Sequence, residues 1–141
     1  MSPANPIATA LPHRAPDAPA VRLLLFAIRQ TGAQGLHDAA VANAFVTAFG
    51  RRFRRPLVLL RALMSDMSSV SSRPIQIAPW CCQRMTRDEA GIIAALTAAP
   101  DRPERALILL ADVLGAPQRA VPIATAQLLA QSFAEAGLAL E

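Results

Sequence analysis

The sequence predicts an all-α protein, a single compact bundle of about six helices in two sets of three, joined by an extended connector that carries Pro79, Trp80, Cys81 and Cys82. Two observations predict it. Apolar residues recur at spacings of three and four in separate windows, and glycine or proline stands at the joins between them. A third excludes a sheet: the only alternating apolar pattern is Ile75 and Ile77, too short to pair without a second strand, and the sequence offers none.

The elements follow in order. Residues 1–19 hold five of the twelve prolines, at Pro3, Pro6, Pro12, Pro16 and Pro19. Each lacks a backbone donor and biases its predecessor away from helix, so a flexible Pro/Ala-rich tail is expected ahead of one helical domain over 20–141. The first helix is expected over 20–31, with Val21, Leu24, Leu25 and Ile28 inward, Arg22 and Arg29 on its polar side, and Gly32 as its stop. The second is expected over 37–49, burying Val41, Ala44, Phe45, Ala48 and Phe49, and Gly50 ends it. The third starts near Pro56, since proline suits a first turn, and reaches about residue 71 with Leu57, Leu60, Leu63, Met64, Met67 and Val70 inward.

The connector spans 73–89. Thr86 and Glu89 then match a capping box and open the fourth helix, to about residue 99. Asp101 and Glu104 match a second box that opens the fifth, which Gly115 ends. Leu107, Leu109, Leu110, Val113 and Leu114 make that helix apolar over much of its circumference, which implies a central position. The sixth is expected over 123–136, with Ala126, Leu129, Ala130 and Phe133 inward and Gly137 as its stop.

Composition narrows function by exclusion. At 141 residues, 53% hydrophobic and 17% charged, the chain can bury one core without disulfides or metal. Its longest uncharged stretch, 120–134, still holds Thr125, Gln127, Gln131 and Ser132, so no membrane span is expected. The first twenty residues lack a basic start and an apolar run, so a cytoplasmic location is expected, where thiols stay reduced. No glycine pattern for phosphate or dinucleotide binding occurs, and no cofactor is expected. His37-Asp38, Asp88-Glu89, Asp101 and Glu104 stand where helix starts use them, which leaves no acid–base constellation and argues against an enzyme.

Two segments remain as candidate sites. The connector gathers Trp80, Cys81, Cys82 and Arg84. As a thiol site it would use Cys82, four residues before the capping threonine and near Arg84 and Arg87. As a metal site it is weak: adjacent thiols diverge, and His37 is the one further soft ligand outside the tail. The structural alternative, favoured by the usual burial of free cysteine, has Trp80 and one cysteine plugging a gap between the helical sets. The second segment is Arg51, Arg52, Arg54 and Arg55, which, joined by Arg22, Arg29 or Arg61, would form a patch for phosphate backbones or acidic protein. Four cations at a helix start oppose its dipole, so they are not there to stabilise the helix. The plainer reading, which common surface arginine runs favour, is a solvated turn paired with Asp38, Asp66 or the acidic second half. Residues 1–75 carry nine arginines against three aspartates, a net +6, and the rest a net −2.

Several stretches resemble a domain-of-unknown-function family of small alphaproteobacterial proteins. They are Arg54-Arg55-Pro56-Leu57-Val58-Leu59-Leu60-Arg61-Ala62, Pro74-Ile75-Gln76-Ile77-Ala78-Pro79, Cys81-Cys82 with Arg84-Met85-Thr86 and Asp88-Glu89, and Gly35-Leu36-His37-Asp38. The resemblance implies a bacterial source, a soluble single domain and an unassigned role, with no activity or cofactor to carry over. The expected function is a non-catalytic interaction or regulatory module whose partner is a protein or another anionic macromolecule. A thiol-based sensor or metal binder at Cys81 and Cys82 is the alternative, and nucleic-acid binding through the arginines a weaker one.

Overall fold

Amphipathic periodicity does become helix, and the differences from expectation lie at the ends. The computed structural model describes residues 13–140, so residues 1–12 of the expected tail lie outside the described residues. Six α-helices form: α1 (Pro19–Gln34), α2 (Ala39–Phe49), α3 (Arg54–Val70), α4 (Arg87–Ala98), α5 (Pro103–Leu114) and α6 (Ile123–Glu135). Short 3-10 turns at Gly50–Arg52 and Gln118–Ala120 precede α3 and α6.

Pro19 opens α1, and the helix runs through Gly32 to stop at Gly35, whose φ of 108° ends it. Gly32 serves a different purpose from the expected stop. A Cβ there would lie 2.6 Å from Ile77 Cδ1, so the bare glycine lets the connector lie close against α1. Asp38 caps α2 by accepting from Val41 N at 3.2 Å. Ala48, expected inward, is exposed. Arg54, two residues before the expected start, opens α3; Pro56 still falls within its first turn and is buried. The serines Ser65, Ser68 and Ser69 face outward as the pattern predicts.

The two capping boxes fare differently. Thr86 Oγ1 accepts from Glu89 N at 3.0 Å and Glu89 Oε1 from Thr86 N at 2.8 Å, so the first box is complete. The second does not form. Pro103 occupies the first helical position and holds Arg102 out of the helical region (φ −135°, ψ 68°), making Arg102 rather than Asp101 the boundary residue.

One core runs through all six helices. Phe45, Phe49 and Phe133 form its aromatic part, with ring centroids 5.0 to 6.1 Å apart and near-perpendicular or tilted planes. Leu24, Leu60, Leu63, Met67, Ile92, Leu96, Leu110, Leu114 and Leu129 are fully buried around it. The two sets of three are sets in sequence and merge in space, for α3 packs on α6 and α1 meets α4. α4 has the largest buried share of any helix, seven of its twelve residues, and it packs on α1, α5 and α6. The expected central position of α5 is overturned: Ile108 is 58% exposed and Leu107 and Leu109 are half-buried, so its surplus apolar surface faces outward.

The connector is extended and fastened at both ends. Ser72 N donates to Leu114 O (2.9 Å), Ser72 Oγ to Gly115 O (2.8 Å) and Arg73 Nη2 to Asp112 O (2.8 Å), which ties its start to the end of α5. Its far end pairs as a two-residue strand. The strands β1 (His13–Arg14) and β2 (Arg84–Met85) run antiparallel with His13 opposite Met85, and Ala15 N donates to Gln83 O at 3.0 Å. Ile75 and Ile77 stay outside any strand; the pairing forms instead at Arg84–Met85, with a partner from residues that composition assigns to the tail.

Candidate functional site

The site is built from beneath by a polar cluster. Arg29, expected on the polar side of α1, is only 3% exposed, and Glu89 of α4 is 0% exposed. Arg29 Nε donates to Glu89 Oε2 at 2.8 Å and Nη2 to Oε1 at 3.1 Å. The other guanidinium donors reach the connector, Nη1 to Cys82 O at 2.7 Å and Nη2 to Arg84 O at 2.8 Å. Glu89 also accepts from Ala78 N at 3.1 Å. Each buried charge therefore meets its opposite and further hydrogen-bonding groups, the condition under which a buried ion pair is tolerated. A planar five-donor fork suits this task, which one ammonium could not perform.

Flanking bonds complete the frame. Gln76 N donates to Asp88 Oδ2 at 2.8 Å, and Thr86 Oγ1 to Gln76 O at 2.6 Å. Cys82 N donates to Pro79 O at 3.0 Å, closing the turn that carries Trp80 and Cys81. The turn has ordered backbone partners on both sides, although it belongs to no helix.

On this frame the expected plug fails. Trp80 is 69% exposed, Cys81 is exposed and Cys82 half-buried. Ala78 and Met85 supply the connector's buried apolar side chains, and Ile77 packs against the core. Trp80, Cys81 and Cys82 instead line a cleft of about 570 Å³. Its other walls include Arg14, Asp17, Arg22 and Phe26 from the chain before α1 and from α1 itself. A volume of that size lies within the roughly 300–1,000 Å³ of ligand sites. Arg84 is exposed, and its backbone belongs to β2 at the edge of this turn.

His37 lies exposed in the turn between α1 and α2 and does not line the cleft. Among the described residues, no three His, Cys, Asp or Glu side chains are grouped to hold a metal.

Arg51, Arg52, Arg54 and Arg55 line a separate cleft of about 240 Å³ with Phe49, Pro56 and the end of α6. Arg22 and Arg29 do not join them: the first is exposed in the Trp80 cleft and the second is buried beneath it. Arg61 is half-buried and also lies outside the arginine cleft. The expected pairing with Asp38 or Asp66 is absent, since the ion pairs among the described residues are Arg29–Glu89 and Arg73–Asp88 (3.9 Å).

Sequence reasoning missed Arg14, Arg22 and Phe26 as cleft residues, and nothing in their local pattern marks them. Arg29 did carry a signal. It lies four residues after Leu25 and eight after Val21, which places it on the apolar stripe rather than opposite it.

No curated protein and no solved structure matches the chain. The model of DUF6628, a family of unknown function, matches residues 5–133, and the chain belongs to that family.

Proposed function

We propose that this chain is a non-catalytic interaction module of the bacterial cytoplasm, which recognises an acidic protein segment through the Trp80 cleft. One observation carries the reading. The sole tryptophan is 69% exposed, yet it stands on a turn held from below by the buried Arg29. A large aromatic ring left in water on a preorganised backbone is costly in a monomer and useful at an interface. Tryptophan and arginine are also the residues that most often anchor interfaces, and Arg14 and Arg22 share the cleft with Trp80. Set against Asp17, which lines the same cleft, their charge leaves a net +1 that favours carboxylates, and Phe26 and Trp80 offer apolar surface to the residues between.

The test is selection of a displayed random-peptide library against the protein. Acidic peptides with an aromatic or aliphatic anchor are expected to enrich, to shift the emission of Trp80, and to bind Trp80→Ala at least about tenfold more weakly, the loss of one interface anchor. Peptides that bind wild type and Trp80→Ala equally would remove the reading. A thiol-based role uses the same cleft and is favoured by one observation, the exposure of Cys81. Slow alkylation of Cys81 at neutral pH would remove it.

A further inference from the structure

The arginine cleft is independent of the Trp80 cleft, with which it shares no lining residue. Four exposed guanidinium groups come from the 3-10 turn after α2 and the first turn of α3, and they surround a space bounded on the other side by Ser132, Glu135 and Ala136 of α6 and its end. None of the four lies within 4 Å of a carboxylate among the described residues. Glu135 is the one acid in the lining, and its Oε1 accepts from Gln131 Nε2 at 3.1 Å. Arg54 is further placed over the Phe53 ring, 5.9 Å from its centroid.

Such crowding works against the fold. The four charges repel one another and oppose the dipole of α3, a cost that water and salt screen in part and that a bound anion would remove. The volume is below the roughly 300 Å³ at which sites for drug-sized ligands begin, so the group that enters is compact. Setting Glu135 against the four arginines leaves a net +3, too much for one carboxylate. A phosphate group carries up to about −2 and presents three acceptor oxygens to planar, two-pronged donors.

We propose that the cleft formed by Arg51, Arg52, Arg54 and Arg55 against the end of α6 binds a diphosphate group, either free pyrophosphate or the terminal diphosphate of a nucleotide. No stacking platform for a base adjoins it, because Phe49 is buried and Phe53 is half-buried beside Arg54. The nucleoside is therefore a bystander.

Calorimetric titration of the full chain with pyrophosphate, ADP and AMP tests this. Pyrophosphate and ADP are expected to bind alike, and AMP more weakly. Arg54→Ala and Arg55→Ala should each weaken pyrophosphate about tenfold, the scale of one charge-assisted hydrogen bond. Glu135→Gln should tighten it, a gain that a merely structural glutamate would not produce. Trp80→Ala should leave it unchanged, which separates this site from the proposed function. Because all four arginines are exposed, the variants should keep wild-type circular dichroism. Pyrophosphate binding that is absent at millimolar concentration, or equal in Arg54→Ala/Arg55→Ala, overturns the proposal. So does a single-stranded oligonucleotide that binds far more tightly than pyrophosphate through the same arginines, since that would assign the cleft to a nucleic-acid backbone.

Discussion

Arg29 and Glu89, 60 residues apart in the chain, form a two-point ion pair in the interior, and through it the first helix holds the connector in place. The same guanidinium that neutralises Glu89 also bonds the carbonyls of Cys82 and Arg84. Core and candidate site are thereby coupled through one side chain.

Removing either partner strands a buried charge. Arg29→Met or Glu89→Leu alone should lower unfolding stability by about 3–5 kcal/mol in urea titration. The double variant should recover much of that loss but not all, because Ala78 N and Thr86 N lose an acceptor. Additive losses in the double-mutant cycle would show that the two do not act as a pair.

The two cap signals should separate on substitution. Thr86→Ala removes a formed cap and the bond to Gln76 O, at a cost of about 1–2 kcal/mol. Asp101→Ala, at an exposed position outside any cap, should fall within about 0.5 kcal/mol of wild type. Thermal unfolding of the two variants side by side decides it.

Gly115 ends α5 with φ 58° and ψ 36°, and Ser72 packs where its Cβ would stand. Gly115→Ala should destabilise by about 1–2 kcal/mol from the left-handed conformation alone, with a further loss as Ser72 is displaced. Replacing Gly32 is a different case, because helix propensity favours alanine there by about 1 kcal/mol while the end of Ile77 has to shift.

Exposure ranks the cleft side chains in reactivity. With iodoacetamide at neutral pH, Cys81 should be labelled before Cys82, as peptide mass spectrometry would resolve. Acrylamide should quench Trp80 nearly as efficiently as free indole. Protection of all three groups in the isolated protein would mean that the cleft is closed in solution.

The fold was legible in the sequence because helices announce themselves locally. Spacings of three and four, Thr86 with Glu89, and Asp38 at a helix start are readable within a single turn. The cleft was not legible because it joins segments that no short-range pattern connects. The strand at His13–Arg14 is two residues long, too short for any period to show, and exists only because Arg84–Met85 lies beside it. Arg29 stands on an apolar stripe, which sequence marks as an anomaly, but only the packed structure decides that Glu89 is its partner.

Sequence by itself determined six amphipathic helices, the complete cap at Thr86 and the position of the irregular connector. Tertiary structure alone decided that α4 rather than α5 is the most deeply buried helix, that Trp80 faces solvent while Ala78 and Met85 go in, and that four arginines surround a cleft with no ion pair among the described residues. Periodicity reports the face of one helix. Which face wins a place in the core depends on the space left by every other helix, and that competition is settled only when all of them pack.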